Sequence, residues 1–372
     1  MPVGLLPALG GGIRALAATG QASRLLNGYF TPYRRAFGDL IYFTYLPESL
    51  PEFASDPDLL AHVKVLAPPR PVWRGLRAAT MPWTHAAEFR SCSVLRVFQI
   101  TGVVPALLAN AWLGVPYVTT YGFWYAQLSA RGPKRILKAA LERLALRRAA
   151  AVIATTEELR QRAAAIARRV ELIPNGVDTA AFVPAEPRRT DGPVRRVLYV
   201  GRLSPEKNLS ALVRAAGLLG GRLPLRLVLV GPGPLREPLE REARAQGVDV
   251  EFAGVIEQER LPAVYRSADA FVLASFTEGH PKALLEAMST GLPVVASDCV
   301  GNRSLVADGR TGLLFDPHRP EALAAALQLV LTDGALADAL GRAARDLVAA
   351  EYDLAVLVDR EIALLKSVQV AR

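Results

Sequence analysis

Two basic residues stand five positions apart in the run Val200-Gly201-Arg202-Leu203-Ser204-Pro205-Glu206-Lys207-Asn208. Arg202 and Lys207 can set two cations over one anion, and Gly201 lets backbone approach that anion closely. A solvated turn carrying two surface charges is the alternative. A sharper arrangement is the run ASFTEGHPKALLEAM at 274–288. Pro281 suits the first turn of a helix, which leaves the amides of Lys282, Ala283 and Leu284 without intrahelical acceptors. Such a helix start binds anions, and the helix dipole adds roughly half a positive charge. Glu286, about one turn further in, can accept hydrogen bonds from a ribose diol. Glu278, in the loop with Gly279 and His280, can reach the hydroxyls of a sugar beyond the phosphates. His280 either touches that sugar or caps the turn. The two glutamates do not form a hydrolytic pair. Eight residues of helix rise about 12 Å, against the roughly 5–9.5 Å that glycoside hydrolysis uses. The competing reading is a capped helix with two incidental acids.

These residues need strand ends to hold them. Apolar β-branched runs alternate with amphipathic stretches along the whole chain, the pattern of parallel α/β sheets. Strands are predicted at 3–6, 41–45, 62–66, 94–100, 117–120 and 151–154, and a second series at 197–200, 226–230, 250–252, 270–274, 293–297 and 312–315. Thr155 and Glu158 fit a capping box that starts a helix. The Pro- and Arg-containing stretch 184–193 reads as a linker. It divides the chain into an acceptor-binding domain 1–186, a donor-binding domain 187–355 and a C-terminal helix 356–372 that returns toward the first domain. Turn signals recur at strand ends: IPNGVD at 173–178, VGPGP at 230–234 and FAGVI at 252–256, where the Val255 and Ile256 backbone can read a nucleobase edge.

Composition narrows the partners. Of 372 residues 51% are hydrophobic and 21% charged, enough for large cores. Cys92 and Cys299 are far apart, which excludes a disulfide framework and suits a reducing compartment. Pro7 and Gly10-Gly11-Gly12 interrupt the first apolar run, so no secretory leader is expected. A net charge of +9 favours anionic partners. No basic tract is interleaved with aromatics, so nucleic acid is not among them. Residues 97–130 lack charge, but Pro105 and the Gly114-Val115-Pro116 break make them a buried strand-helix-strand unit rather than a membrane span. Arg131, Lys134, Arg135, Lys138, Arg143, Arg147 and Arg148 crowd one predicted helix, opposed by Glu142 alone. Its apolar side is Ile136, Leu137, Ala140, Leu141 and Leu144. Either that side docks on the core beneath a solvated basic face, or the helix binds anionic lipid peripherally. Asp56-Pro57-Asp58, the one Asp-x-Asp, reads as a solvated turn and not as a metal site. His62, His85 and His318 have no ligand spacing.

In their order, the IPNGVD, VGRLSPEKN, VGPGP, FAGVI and EGHPKALLEAMSTGLPVVASD segments resemble the retaining glycosyltransferases of the GT-B fold, family 4. The resemblance covers the C-terminal half. It implies an α/β fold of two Rossmann-like domains facing each other across a cleft. It also implies Arg202 and Lys207 on a donor diphosphate, Glu286 on its ribose, Glu278 near its sugar, and amides around Ala283 and Leu284 on its distal phosphate. Gly10, Gly11 and Gly12 match the family's N-domain glycine loop, which faces diphosphate and acceptor. The donor is then a UDP-, GDP- or ADP-sugar, with no cofactor and no bound metal. The acceptor is a glycan or lipid-linked hydroxyl in cell-surface polysaccharide or glycolipid synthesis, on the cytoplasmic side of the membrane. One departure concerns the residue after the 117–120 strand, a histidine in the family and Tyr121 here. Tyr121 can still donate a hydrogen bond, and the Tyr121–Tyr125 cluster lines either the acceptor site or the core. A nucleotide-sugar epimerase and a non-catalytic sugar-nucleotide-binding subunit remain as other classes. A nicotinamide dehydrogenase does not, because Gly231-Pro232-Gly233-Pro234 lacks the third glycine.

Overall fold

Short runs of valine, leucine and isoleucine set between amphipathic helices fold here into two parallel sheets. The computed structural model describes residues 1–123, 133–185 and 193–370. They fall into two units, Met1–Pro174 with Val356–Arg372, and Asn175–Ala355.

The first unit carries β1 (Val3–Leu6), β2 (Leu40–Phe43), β3 (Val63–Leu66), β4 (Val94–Val97), β5 (Tyr117–Tyr121), β6 (Ala151–Ala154) and β7 (Val170–Leu172) in the order β3-β2-β1-β4-β5-β6-β7. Every residue of β1, β2, β4 and β6 is buried, as inner strands of a parallel sheet covered by helices must be. The helix Leu354–Val368 closes on this sheet through a buried ion pair. Arg96 on β4 donates through Nε to Glu361 at 2.5 Å and through its terminal nitrogen to Thr120 at 2.8 Å. Burial raises the Glu361 carboxyl to about 8 and lowers Arg96 to about 10.

The second unit carries β8 (Arg195–Val200), β9 (Leu225–Val230), β10 (Asp249–Gly254), β11 (Ala270–Leu273), β12 (Val294–Ser297) and β13 (Leu313–Phe315) in the order β10-β9-β8-β11-β12-β13. All its pairs are parallel. The order reverses between β8 and β11, and at such a switch point the strand ends open a crevice for ligands.

Several expectations need correction. The units part at Pro174, before the linker-like stretch and not at 186. Val177 bridges to Asp353, Phe182 is buried in the second core, and Arg345 donates to the carbonyls of Thr179, Phe182 and Ser289 at 2.9–3.0 Å. These contacts claim 175–185 for the second unit, while 186–192 lie outside the described residues. The helix after β6 is capped by Thr156, whose hydroxyl accepts from the Leu159 amide at 3.3 Å, and not by Thr155, which is buried. The strand expected at 94–100 ends at Val97 and gives way to a single 3-10 turn, Ile100–Gly102. Asp56-Pro57-Asp58 is exposed, as expected, but it starts a helix rather than forming a turn: Asp56 is the N-cap of Pro57–His62, and Asp58 pairs with Arg34 at 2.9 Å. Among the described residues, no single helix is long and apolar enough to cross a membrane.

Candidate functional site

In the second unit the loops after β8 and β11, the two strands flanking the switch point, meet each other. The Phe276 amide donates to the Glu206 carbonyl at 2.9 Å. The Lys207 ammonium donates to Glu278 Oε1 at 2.6 Å, and the Ser275 hydroxyl donates to the same oxygen at 2.6 Å. Lys207 ends a 3-10 turn, Pro205–Lys207, stopped by Asn208 in the left-handed region at φ 54°. Asn208 holds that strain by donating from its side chain to the Pro317 carbonyl at 2.8 Å. The Lys207–Glu278 pair is largely withdrawn from solvent, so its charges are weakly screened. Arg202 is exposed, and among the described residues its guanidinium has no ion-pair partner. Its carbonyl accepts from the Tyr199 hydroxyl at 2.8 Å. A Cβ at Gly201 would lie 2.6 Å from that hydroxyl, so glycine here serves packing as well as ligand approach.

The helix start stands just beyond Glu278. Pro281 is its N-cap, at φ −74° and ψ 117°, rather than a residue of the first turn. The helix runs Lys282–Ser289, because the Pro281 carbonyl accepts the first intrahelical bond, from Leu285 at 3.3 Å. The amides of Ala283 and Leu284 have no acceptor among the described residues, which makes them donors for an anion. Two features hold the loop that leads in. Asn175 donates from its side chain to the His280 carbonyl at 2.7 Å, and a Cβ at Gly301 would land on the carbonyls of Glu278 and Gly279. His280 is buried with Nδ1 unpartnered, its ring 5.5 Å from that of Tyr352. Burial pushes its imidazole down to about 4, so it is neutral at physiological pH.

Glu286 is buried one turn into this helix. Its oxygens accept from Gln258 Nε2 at 3.0 Å and from the Tyr265 hydroxyl at 2.9 Å. A carboxylate offers about four lone-pair sites, more than these two bonds use. Gln258 lies just past Val255, which is exposed, and Ile256, which is half-buried. The three strand ends are stitched by amides: Gly201 donates to Val230 at 2.9 Å, Leu203 to Pro232 at 2.9 Å and Gly231 to Gly254 at 2.7 Å. Gly231, at φ 127°, and Gly233 would each drive a Cβ into the carbonyls of Gly201 and Leu203. The glycines of VGPGP therefore let two loops touch. Sequence reasoning assigned no role to Ser275, Asn175, Gln258, Tyr265 and Gly301. Ser275, three residues before Glu278, and Asn175, in the IPNGVD turn, lay within runs already singled out, whereas Gln258, Tyr265 and Gly301 act across long sequence gaps.

In the first unit the glycine loop after β1 is occupied from within. Glu48 accepts from the Ile13 amide at 3.0 Å and from the Arg14 amide at 2.7 Å, and is itself buried. These are the first amides of the helix Ile13–Ala17. A Cβ at Gly12 would lie 2.5 Å from Glu48 Oε1 and 2.6 Å from Thr44 Oγ1. Gly12 thus makes room for a carboxylate of the chain itself. Gly11 donates to Ala8 at 2.8 Å, and Gly10 adopts φ 78° beside the Arg74 side chain. The helix start after Gly10, Gly11 and Gly12, the loop that the resemblance sets facing diphosphate and acceptor, is therefore met by Glu48. Tyr121 was expected either at the acceptor site or in the core, and the structure favours the core. It is buried, and its hydroxyl donates to Glu142 at 2.8 Å. The cause is strand alternation: Tyr117 and Tyr121 share the β5 face covered by the helix Pro133–Arg148, while Thr120 turns toward Arg96. Tyr125 and Arg131 lie outside the described residues, as does the Lys134 side chain.

Residues 31–181 match the family described as Glycosyltransferase Family 4, and residues 186–347 match Glycosyl transferases group 1. Alpha-D-kanosaminyltransferase of Streptomyces kanamyceticus is 33% identical over 236 residues, which are 59% of this chain and 61% of that protein. The chain spans 37% to 61% of the length of the curated relatives it matches. Sucrose-phosphate synthase from Thermosynechococcus elongatus has a similar structure, with a TM-score of 0.77 at 23% identity over 99% of this chain and 98% of that one. Anabaena HepE, solved in complex with UDP and glucose, gives a TM-score of 0.78 at 19% identity over 99% and 100%. At these identities the likeness is one of fold.

Proposed function

Because this chain belongs to the group 1 glycosyltransferases and has their GT-B type of α/β fold, we propose that it transfers a sugar from a nucleoside-diphosphate donor to a hydroxyl, with retention at the anomeric carbon. The observation that carries this reading is the meeting of Lys207 and Glu278 at the switch point, directly ahead of a helix start with open amides. Expelling a nucleoside diphosphate builds negative charge on the leaving oxygen. Cations and amides fixed in advance stabilise that charge without reorganising. Lys207, Arg202 and the Ala283 and Leu284 amides take that role on the diphosphate. Glu286 accepts from the ribose, with Gln258 and Tyr265 fixing its orientation. Glu278, steadied by Ser275 and Lys207, accepts from hydroxyls of the donor sugar. Gly279, His280, Pro281 and Lys282 shape the loop, and Val255 and Ile256 border the base.

HepE, solved with UDP and glucose, supports a nucleotide-sugar donor with UDP as the first to test. The acceptor is a glycan or lipid-linked hydroxyl, in keeping with synthesis of a cell-surface polysaccharide or glycolipid. Incubation with labelled UDP-, GDP- and ADP-sugars and hydroxyl acceptors should give a glycoside whose anomeric NMR signals match the donor's configuration. Losing one preorganised donor costs ~10²- to 10³-fold in rate, so Arg202→Ala and Lys207→Ala should each lose at least about 100-fold in turnover. Epimerised donor with no glycoside, or binding with no turnover, would replace this reading.

A further inference from the structure

The helix Pro133–Arg148 is attached to the first unit by one side. Ala145 and Leu146 are buried, the Ala145 carbonyl accepts from the Tyr117 hydroxyl at 2.6 Å, and Glu142 turns inward to Tyr121. At 100° per residue, Ile136, Leu137, Ala140, Leu141 and Leu144 form one stripe on the opposite side. That stripe stands in solvent: Ile136 is 73% exposed, Leu137 72%, Leu141 37% and Leu144 45%. Arg143, Arg147 and Arg148 are exposed beside it. The side expected to dock on the core is thus the side the fold leaves outward. The cost of wetting four large aliphatic side chains in a row calls for an occupant.

A second observation lies on the adjoining helices. Val104–Leu113 packs against both Pro133–Arg148 and Arg74–Thr84. On these two neighbours Leu76, Trp83 and Trp112 are about half exposed. The indoles of Trp83 and Trp112 stack at 5.9 Å, and Arg90 sits 5.5 Å from the Trp112 ring. Exposed tryptophan, aliphatic side chains and arginine together suit the boundary between acyl chains and headgroups. The chain's charge of +9 suits the anionic lipid of a cytoplasmic leaflet.

We propose that this face lies on an anionic lipid surface, with Ile136, Leu137, Leu141 and Leu144 entering the acyl boundary and the arginines meeting lipid phosphates. Burying apolar side chains and neutralising charge add together in such interfacial helices. Nothing in this requires the sugar-transfer reading. The test is flotation of the full chain with vesicles of phosphatidylcholine alone or mixed with phosphatidylglycerol. The chain should float with the mixed vesicles and be released by salt. Combined Ile136→Ser, Leu137→Ser, Leu141→Ser and Leu144→Ser substitution should keep the wild-type unfolding midpoint, because those side chains are exposed, and should weaken binding at least about tenfold. Arg143→Ser with Arg147→Ser should cost about fivefold for each arginine, or ~1 kcal/mol. Equal flotation with both vesicle types, wild-type binding by the serine variant, or self-association through this face in place of lipid binding would overturn the proposal.

Discussion

Lys207 and Glu278 are 71 residues apart, yet each fixes the other, and neither charge would sit well alone in so sheltered a place. The pairing leaves Arg202 and Lys282 as exposed cations among the described residues of the site. His280 is different: it contributes shape and not charge. Burial holds its imidazole at about 4, whereas the unfolded chain protonates it below about 6.5. Its contribution to stability is therefore complete above about pH 6.5 and is lost as pH falls toward about 4, by up to ~3 kcal/mol. His280→Phe keeps a ring against Tyr352 and should flatten this fall when unfolding midpoints are followed from neutral to acid pH. An unchanged slope would place the acid sensitivity elsewhere. Glu286 stood out as a candidate from its spacing alone. The partners that orient it, Gln258 and Tyr265, lie 28 and 21 residues away, and no local pattern marks them.

Elements were legible where a short apolar run is bounded by turn residues, as in β1 and β6, whose limits agree with expectation. Three-residue β7 lies behind Arg168 and Arg169 and is only half-buried, so periodicity gave no sign of it. Of the two readings left open for Tyr121, acceptor site or core, alternation along β5 favours the core, because it turns the side chain toward a helix. Glu48 escaped notice since its work on the Ile13 and Arg14 amides is tertiary. The glycines after β8 and β9 pose a test of the stitched strand ends. Gly231→Ala would press a Cβ onto the Gly201 carbonyl at a left-handed φ of 127°. Backbone cannot yield as a flexible side chain does, so a loss of about 2–4 kcal/mol is expected in denaturant unfolding. A loss under about 0.5 kcal/mol would mean that these loops relax freely.

At the scale of the molecule, two series of parallel strands were readable from alternating runs, while their order in the sheets and the division between the units were not. The composition change near 184–193 suggested the boundary, but long-range ties from Val177, Phe182 and Arg345 set it at Pro174. If fixed cations and amides neutralise the leaving group, turnover should survive a divalent chelator, and strong inhibition would point to a metal-bound donor. The central claim is that Arg202, Lys207 and the helix start at Ala283 and Leu284 hold one diphosphate. Calorimetric titration of UDP, GDP and ADP into wild type, Arg202→Ala and Lys207→Ala tests it most directly. At least one nucleotide should bind, and each variant should weaken it by roughly ten- to a hundredfold, the worth of one charged hydrogen bond. Wild-type affinity in both variants would contradict the claim.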